Sequence, residues 1–192
     1  MNQNSAETKK NLTEALLRIY AQKRISQVTV KEICSVAGYN RSTFYNHFDD
    51  VPSMLNQIED ELLFRMEHMV RQLTPEDIFK TDKIFVAIKG IYQDNQSALS
   101  LLMTKPDSHF PQKLKSLMEA IIGGLFEEPS PVDNEKLQTA ISYHFSAVIG
   151  VMSYWLSSGK MSDIGKAIDY VQEFSREGIL TVIKNMAIPR LP

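Results

Sequence analysis

"TVKEICSVAGYNRSTFYNHFDD", residues 29–50, holds two short helical patterns separated by a single glycine. Thr29 and Glu32 have the spacing of a capping box, in which each side chain satisfies a backbone N–H of the other residue, so a helix is predicted from Val30. It turns Ile33 and Ala37 inward and stops at Gly38, the residue best able to take the left-handed conformation after a helix end. Asn40 then caps a further helix over Arg41 to Phe48. Phe44 and Phe48, four residues apart, form its apolar face; Arg41, Ser42, Thr43, Tyr45, Asn46 and His47 occupy most of the rest. Cys34 and Ala37 are small enough to let the two helices approach near the turn, which makes the cysteine a packing residue.

Outside this stretch the periodicity stays helical. Leu12, Leu16, Ile19 and Tyr20 share one face of a helix predicted over Ser5 to Lys23. Asp50 or a near neighbour caps a long connector, with Pro52 tolerated in its first turn and Met54, Leu55, Ile58, Leu62, Met66, Met69 and Leu73 along it. Thr74 and Pro75 signal another helix start. Helices are predicted over Lys83 to Asp94, Asn95 to Met103 and Pro111 to Phe126, broken by "TKPDSHF". After the loop "GGLFEEPSPVDN", two long ones follow over Asp133 to Ser158 and Ser162 to Ala187. No segment alternates as a strand would, so the fold class is all-α: a three-helix N-terminal unit, residues 1–50, and a larger helical unit, residues 51–192.

Composition narrows the functional classes. A chain of 192 residues with 43% hydrophobic content can bury a sizeable core. The single Cys34 rules out an internal disulfide framework and a cysteine-rich zinc module, and "MNQNSAETKK" lacks the apolar stretch of a secretory signal, so a cytoplasmic location is expected. The net charge is -2, but residues 1–48 carry seven basic groups (Lys9, Lys10, Arg18, Lys23, Arg24, Lys31, Arg41) against three acidic ones (Glu7, Glu14, Glu32). That quarter is fit to approach a polyanion.

A helix, a glycine turn and a second helix with a polar outer face are the parts of a helix-turn-helix. Its first helix crosses the phosphate backbone and its second enters the major groove. The outward guanidinium, amide, hydroxyl and imidazole groups suit phosphate oxygens and base edges. Enzyme chemistry finds no comparable set. His47, His68, His109 and His144 are far apart, with no H-x-x-x-H pair and no acidic residue three positions before any of them. Neither G-x-S-x-G nor a phosphate loop occurs, so the expectation is no enzyme, no catalytic residue, no metal and no cofactor.

The segment Thr29 to Leu55 resembles the helix-turn-helix of the tetracycline-repressor (TetR) family of transcriptional regulators. The resemblance implies base contacts from Arg41, Ser42, Thr43 and Asn46, and phosphate contacts from Thr29, Tyr45 and His47. Relatives often carry a lysine at the start of the fourth helix, where this chain has Val51 after Asp49 and Asp50. Affinity should therefore rest more on Lys9, Lys10, Lys23, Arg24 and Lys31.

From Leu137 to Gly159 there is no Asp, Glu, Lys or Arg. Gln138, His144 and five serines argue against a membrane span, and a helix apolar on more than one face reads as buried on two sides. Ala147 and Gly150 permit close helix approach. Phe145, Val148, Met152, Trp155, Ile168, Val171 and Ile179 are candidate dimer-interface residues, and the TetR resemblance implies a four-helix dimer contact. Met66, Met69, Phe85, Ile88, Tyr92, Met103, His109, Tyr143 and His144 are candidate ligand-pocket residues, methionine being suited to irregular apolar space. The function expected is a homodimeric repressor on a pseudo-palindromic double-stranded operator, released by a small apolar effector. The alternative is a ligand-binding or coactivator-interacting protein with weak or lost DNA binding. "NQSALSLLMTKPDSHFPQKLKSLM", residues 95–118, is loosely similar to regulators of the dihydroxyacetone-kinase type.

Overall fold

The computed structural model describes residues 3–74, 81–124, 131–158, 164–176 and 178. Within them the chain is helical, with no strand. Helix α1 spans Gln3–Tyr20; a single 3-10 turn, Ile25–Gln27, leads to α2, Val30–Ala37, and α3, Arg41–Tyr45. Leu12, Leu16 and Tyr20 of α1 meet Ile33 and Cys34 of α2 and Phe44 of α3 in a fully packed core, closed from below by Phe48. Burial of this apolar surface is what holds three short helices together, since a helix of five or eight residues is marginal by itself.

Helix α3 is shorter than its sequence suggests. Phe44 and Phe48 both point inward, with ring centroids 5.6 Å apart, as their spacing requires. To bring Phe48 under the core, the chain tightens after Tyr45, where the His47 N–H reaches the Phe44 carbonyl at 2.9 Å. Asn46 and His47 therefore lie in a turn that leads into Asp50, whose carboxylate accepts the Ser53 N–H at 2.7 Å and starts α4, Val51–Val70.

α4 has 20 residues, about 30 Å of helix. Its buried residues Val51, Met54, Leu55 and Ile58 join the N-terminal core, and Leu62 and Met66 carry the same cluster onward. Of the helices α5 (Thr81–Asp94), α6 (Gln96–Thr104), α7 (Phe110–Gly123), α8 (Pro131–Ser157) and α9 (Ile164–Arg176), α5 and α7 pack on α4, and α8 lies against α6, α7 and α9. Met118, Ile121 and Ile122 of α7 close against Leu137, Ala140 and Ile141 of α8, with Val70 of α4 between them. Ile168 and Val171 of α9 pack on Val148, Val151 and Met152 of α8. Ser153 of α8 donates its hydroxyl to the Met103 carbonyl at 3.1 Å, so one serine of the stretch without charged residues faces inward and stitches α8 to the end of α6. The helix start signalled by Thr74 and Pro75 and the C-terminal part of the last predicted helix lie outside the described residues.

Because Phe44 is completely enclosed, Phe44→Ala should cost roughly 3–5 kcal/mol. The loss should appear as a lower denaturant midpoint by circular dichroism; a change within about 0.5 kcal/mol would mean that the ring is not the anchor of the three-helix core.

Candidate functional site

The capping box of α2 forms in full. Thr29 Oγ1 accepts the Glu32 N–H at 3.3 Å, and Glu32 Oε2 accepts the Thr29 N–H at 2.9 Å. Thr29 also donates its hydroxyl to Glu32 Oε2 at 2.8 Å, while Lys23 Nζ donates to Oε1 at 2.7 Å. Lys23 and then Thr29 hold the Glu32 carboxyl down at about 2. Lys23 and the Thr29 hydroxyl are thus engaged within the protein.

Gly38 takes φ 75° and ψ 28°, the left-handed conformation that closes α2, and the Tyr39 N–H returns to the Cys34 carbonyl at 2.9 Å. Cys34 is buried, its thiol 3.5 Å from the Asn40 carbonyl, and burial raises its pKa. Tyr39 Oη accepts a hydrogen bond from Asn11 Nδ2 at 3.0 Å, so the turn is tied back to α1.

Asn40 begins α3 with one oxygen serving three donors. Its Oδ1 accepts from the Thr43 N–H at 2.8 Å, the Thr43 hydroxyl at 2.9 Å and the Ser42 hydroxyl at 2.6 Å. Both hydroxyl protons are used in the cap, and what Ser42 and Thr43 present outward is lone pairs. Arg41, Ser42 and Asn46 are exposed, Thr43 and His47 half-buried, and Tyr45 is 58% exposed with its ring edge-on to Phe44 at 5.4 Å. These residues share the surface opposite the two phenylalanines.

The basic residues divide into two groups. Lys9 pairs with Glu61 and stands 5.9 Å from the Phe48 ring centre; Lys10 and Arg18 pair with Glu14; Lys23 pairs with Glu32. Arg24, Lys31 and Arg41 are exposed with no ion pair among the described residues. Val51 is buried, and Asp50 is turned into the cap of α4, leaving Asp49 as the outward carboxylate beside this surface.

Beneath this unit lies a polar junction that the sequence marked only as a break between helices. In the loop Lys105 to His109, Asp107 accepts the Tyr20 hydroxyl at 2.8 Å and the Ile25 N–H at 2.7 Å. Lys105 reaches the Ala21 carbonyl at 3.2 Å and lies 5.3 Å from the Tyr20 ring centre. Glu59 of α4, 1% exposed, accepts from the Ser108 hydroxyl at 2.9 Å and the His109 N–H at 3.0 Å, and pairs with Lys113 at 3.0 Å. Burial raises the Asp107 pKa, but the bonds from Ile25 and Tyr20 outweigh it and the net shift is downward. Tyr20 is shifted upward by burial and by Asp107.

On the other side of this loop is an apolar cavity of about 100 Å³. Met66, Met69, Tyr92 and Met103 line it, together with Val70, Ile91, Leu99, Phe110, Leu114, Met118, Ile149 and Leu156, which were not among the site residues chosen from sequence. Phe145, Val148, Met152, Ile168 and Val171, expected to meet a partner subunit, also line it; Ile168 and Val171 are buried within the protomer, out of a partner's reach. His109 and Tyr143, expected in the pocket, are exposed, Tyr143 at 67%, and His144 is half-buried without lining the cavity. Burial lowers the His144 pKa. The side chains of Phe85 and Ile88, and all of Ile179, lie outside the described residues. Trp155 stacks edge-on against Tyr170 of α9, ring centroids 5.8 Å apart. Burial raises the Tyr92 pKa, with the Gln96 side chain acting against it, and the hydroxyl makes no hydrogen bond of good geometry among the described residues.

The outer face of α8 carries Tyr143, Ala147, Gly150 and Tyr154, all exposed and uncharged. Among the described residues, no helix is long and apolar enough to cross a membrane, and no cluster of three His, Cys, Asp or Glu side chains could hold a metal.

Residues 79–177 match the TetR_C_8 family model, described as "Transcriptional regulator C-terminal region". Among the solved structures that share the fold are two of similar length. One is titled "Dihydroxyacetone kinase operon activator DhaS": TM-score 0.61, 15% identity, 94% of this chain and 98% of that one covered. The other is a TetR transcriptional regulator from Streptococcus agalactiae: TM-score 0.61, 19% identity, 94% and 96% covered.

The Asp107 bridge can be tested by acid. Its carboxylate is more acidic folded than unfolded, so its contribution is complete above the unfolded value of about 3.9 and fades as pH falls through the lower folded value. Asp107→Ala should cost roughly 2–3 kcal/mol in urea denaturation at pH 7, and the gap from the parent protein should narrow steadily below about pH 4. A gap unchanged down to pH 2 would contradict a charge-assisted bridge.

Proposed function

The chain belongs to the TetR family of transcriptional regulators, and from that premise we propose that it is a cytoplasmic, homodimeric DNA-binding repressor, released from a pseudo-palindromic operator by a small apolar effector. Residues 1–50 are the reading head, and residues 51–192 carry the effector cavity and the subunit contact. The observation that carries this reading is the outward face of α3 and its following turn. Arg41, Ser42, Thr43, Tyr45 and Asn46 lie together opposite the buried Phe44 and Phe48.

Each group has a role set by its chemistry. Arg41, without an ion pair among the described residues, is suited to a guanine edge; Asn46 suits an adenine edge. Ser42 and Thr43, their protons committed to Asn40, offer acceptors to an exocyclic amine of adenine or cytosine. Lys31 and Arg24 are free to meet phosphate, joined by Tyr45 and His47. Thr29 fits phosphate only through its backbone or after giving up Glu32.

A second copy would sit on the uncharged face of α8, where Ala147 and Gly150 allow close helix approach between Tyr143 and Tyr154, with Trp155 and Tyr170 at the edge. A two-fold dimer places its recognition elements about 34–36 Å apart, on successive major grooves. Coupling runs through the loop Lys105 to His109. Met103 and Phe110 line the cavity and bracket this loop, and Asp107 within it grips Tyr20 and Ile25 of the reading head. An occupant that displaces either wall side chain changes how α1 is held, and selects dimers whose reading heads are wrongly spaced.

In a random-sequence selection at low salt the purified dimer should enrich a two-fold motif, and log affinity should fall linearly with log salt. Failure to enrich any DNA would remove the regulator reading. Arg41→Ala should cost roughly 1–3 kcal/mol and relax preference at one base pair of each half-site. The subunit contact has its own test: a Cβ at Gly150 meets nothing within 4 Å in the protomer. Gly150→Leu should therefore keep the helical content while raising the dimer dissociation constant by at least tenfold in sedimentation analysis; an undisturbed dimer would place the contact elsewhere.

A further inference from the structure

Read from sequence, Asn40 is a helix cap and was not among the candidate DNA contacts. Its side chain nevertheless fixes what the two hydroxyls beside it have left for DNA. The Thr43 N–H lies 2.8 Å from the side-chain oxygen of Asn40, and since an amide nitrogen accepts nothing, the orientation of that amide is set. The same oxygen stands 2.9 Å from the Thr43 hydroxyl and 2.6 Å from the Ser42 hydroxyl. An amide oxygen has no proton to give, so both hydroxyls donate to it. Each has a single proton, and both protons point at Asn40.

The consequence is a fixed polarity. A free serine or threonine hydroxyl rotates to suit its neighbour and meets a donor or an acceptor equally, so by itself it discriminates little between bases. Ser42, exposed, and Thr43, half-buried, have only lone pairs left. In the major groove adenine and cytosine present an exocyclic amine, which lone pairs attract, whereas guanine and thymine present carbonyl oxygens, which they repel.

We propose that Asn40 is a specificity-determining residue that acts through its neighbours: by holding both protons, it makes Ser42 and Thr43 select adenine or cytosine against guanine or thymine at the bases they meet. Asn40 need not touch a base to do so. This role rests on the DNA-reading function of α3 proposed above and adds to it the group that sets the preference.

Three variants separate a positioning role from a structural one in a random-sequence selection at fixed salt, with folding followed by circular dichroism. The backbone at Asn40 is extended, with φ -88° and ψ 166°, a conformation open to other residues. Asn40→Gly keeps a serviceable cap and frees both protons. Asn40→Asp keeps an oxygen for all three donors but lacks the amide N–H groups. Ser42→Ala with Thr43→Val removes both hydroxyls and leaves the bond from the Thr43 N–H to Asn40.

The parent should prefer adenine or cytosine by about tenfold at the bases facing the hydroxyls, and Asn40→Gly should bring that preference within about twofold of none. Preference at the base pair read by Arg41 should stay. Asn40→Asp should keep the preference while lowering affinity alike for all sequences, because the added charge repels phosphate. The hydroxyl-free protein should lose the preference, and Asn40→Gly should change nothing further in it, as expected of action through another residue. The last two variants decide the question even where glycine loosens the helix. A cap that only held the helix would weaken binding to every sequence and leave the profile unchanged, and that outcome overturns the proposal. So does loss of the preference in Asn40→Asp, which would place Asn40 on the base itself, or its survival in the hydroxyl-free protein. A parent that enriches no DNA removes the regulator reading together with this one; an Asn40→Gly profile identical to that of a parent with a clear operator removes this one alone.

Discussion

Glu59 is a carboxylate placed where water does not reach it, and the architecture around it follows from the need to satisfy that charge. Its Oε1 accepts two hydrogen bonds at the start of α7, from the Ser108 hydroxyl and the His109 N–H, and its Oε2 meets the ammonium group of Lys113. A buried charge without such partners would be strongly destabilising, so α4, the loop before α7 and α7 itself are locked into one relative position. Once the loop is placed, Asp107 is delivered to Tyr20 and Ile25, and α1 is tied to the far half of the protein. The same placement sets Phe110 as a wall of the cavity. Glu59 and Asp107 thus join α1, α4 and the cavity wall in a continuous set of contacts.

The polar surface of the N-terminal helices shows a related economy of polar groups. Four of the seven N-terminal cations are paired within the protein, through Glu61, Glu14 and Glu32, and surface pairs of this kind add little stability. Their larger effect is to concentrate on Arg24, Lys31 and Arg41 the positive charge that has no ion pair among the described residues. The Asn40 cap likewise turns Ser42 and Thr43 into acceptors. Local capping chemistry therefore decides which hydrogen-bonding pattern α3 shows to a ligand.

Where the reading of the sequence was local, it was accurate because the interactions are local. The capping box at Thr29 and Glu32, the left-handed Gly38, the Asn40 cap and the Asp50 cap each involve residues within a few positions of one another, and each can be read from spacing alone. The end of α3 was misjudged because it depends on Phe48 reaching a core built by α1 and α4, which shortens the helix to Tyr45. The uncharged stretch of α8, from Leu137 onward, was harder still. Its apolar residues recur on more than one face, and periodicity does not say which face looks inward. Phe145, Val148 and Met152 face the cavity, while Tyr143 and Tyr154 look out.

Length, helical period and capping residues by themselves determined that this is an all-helical protein, with a helix, glycine turn and helix near its start, and with Phe44 and Phe48 behind an exposed polar face. Those features arise from backbone hydrogen bonding and side-chain direction within a few turns of chain. Tertiary structure alone decided that Asp107 would hold Tyr20, 87 residues away, that Glu59 would be buried, and that Met66, Met103 and Phe110 would line one cavity. Such pairings depend on which helices meet in space, and no spacing along the chain encodes the approach of two side chains brought together only by the packing of the helices that carry them.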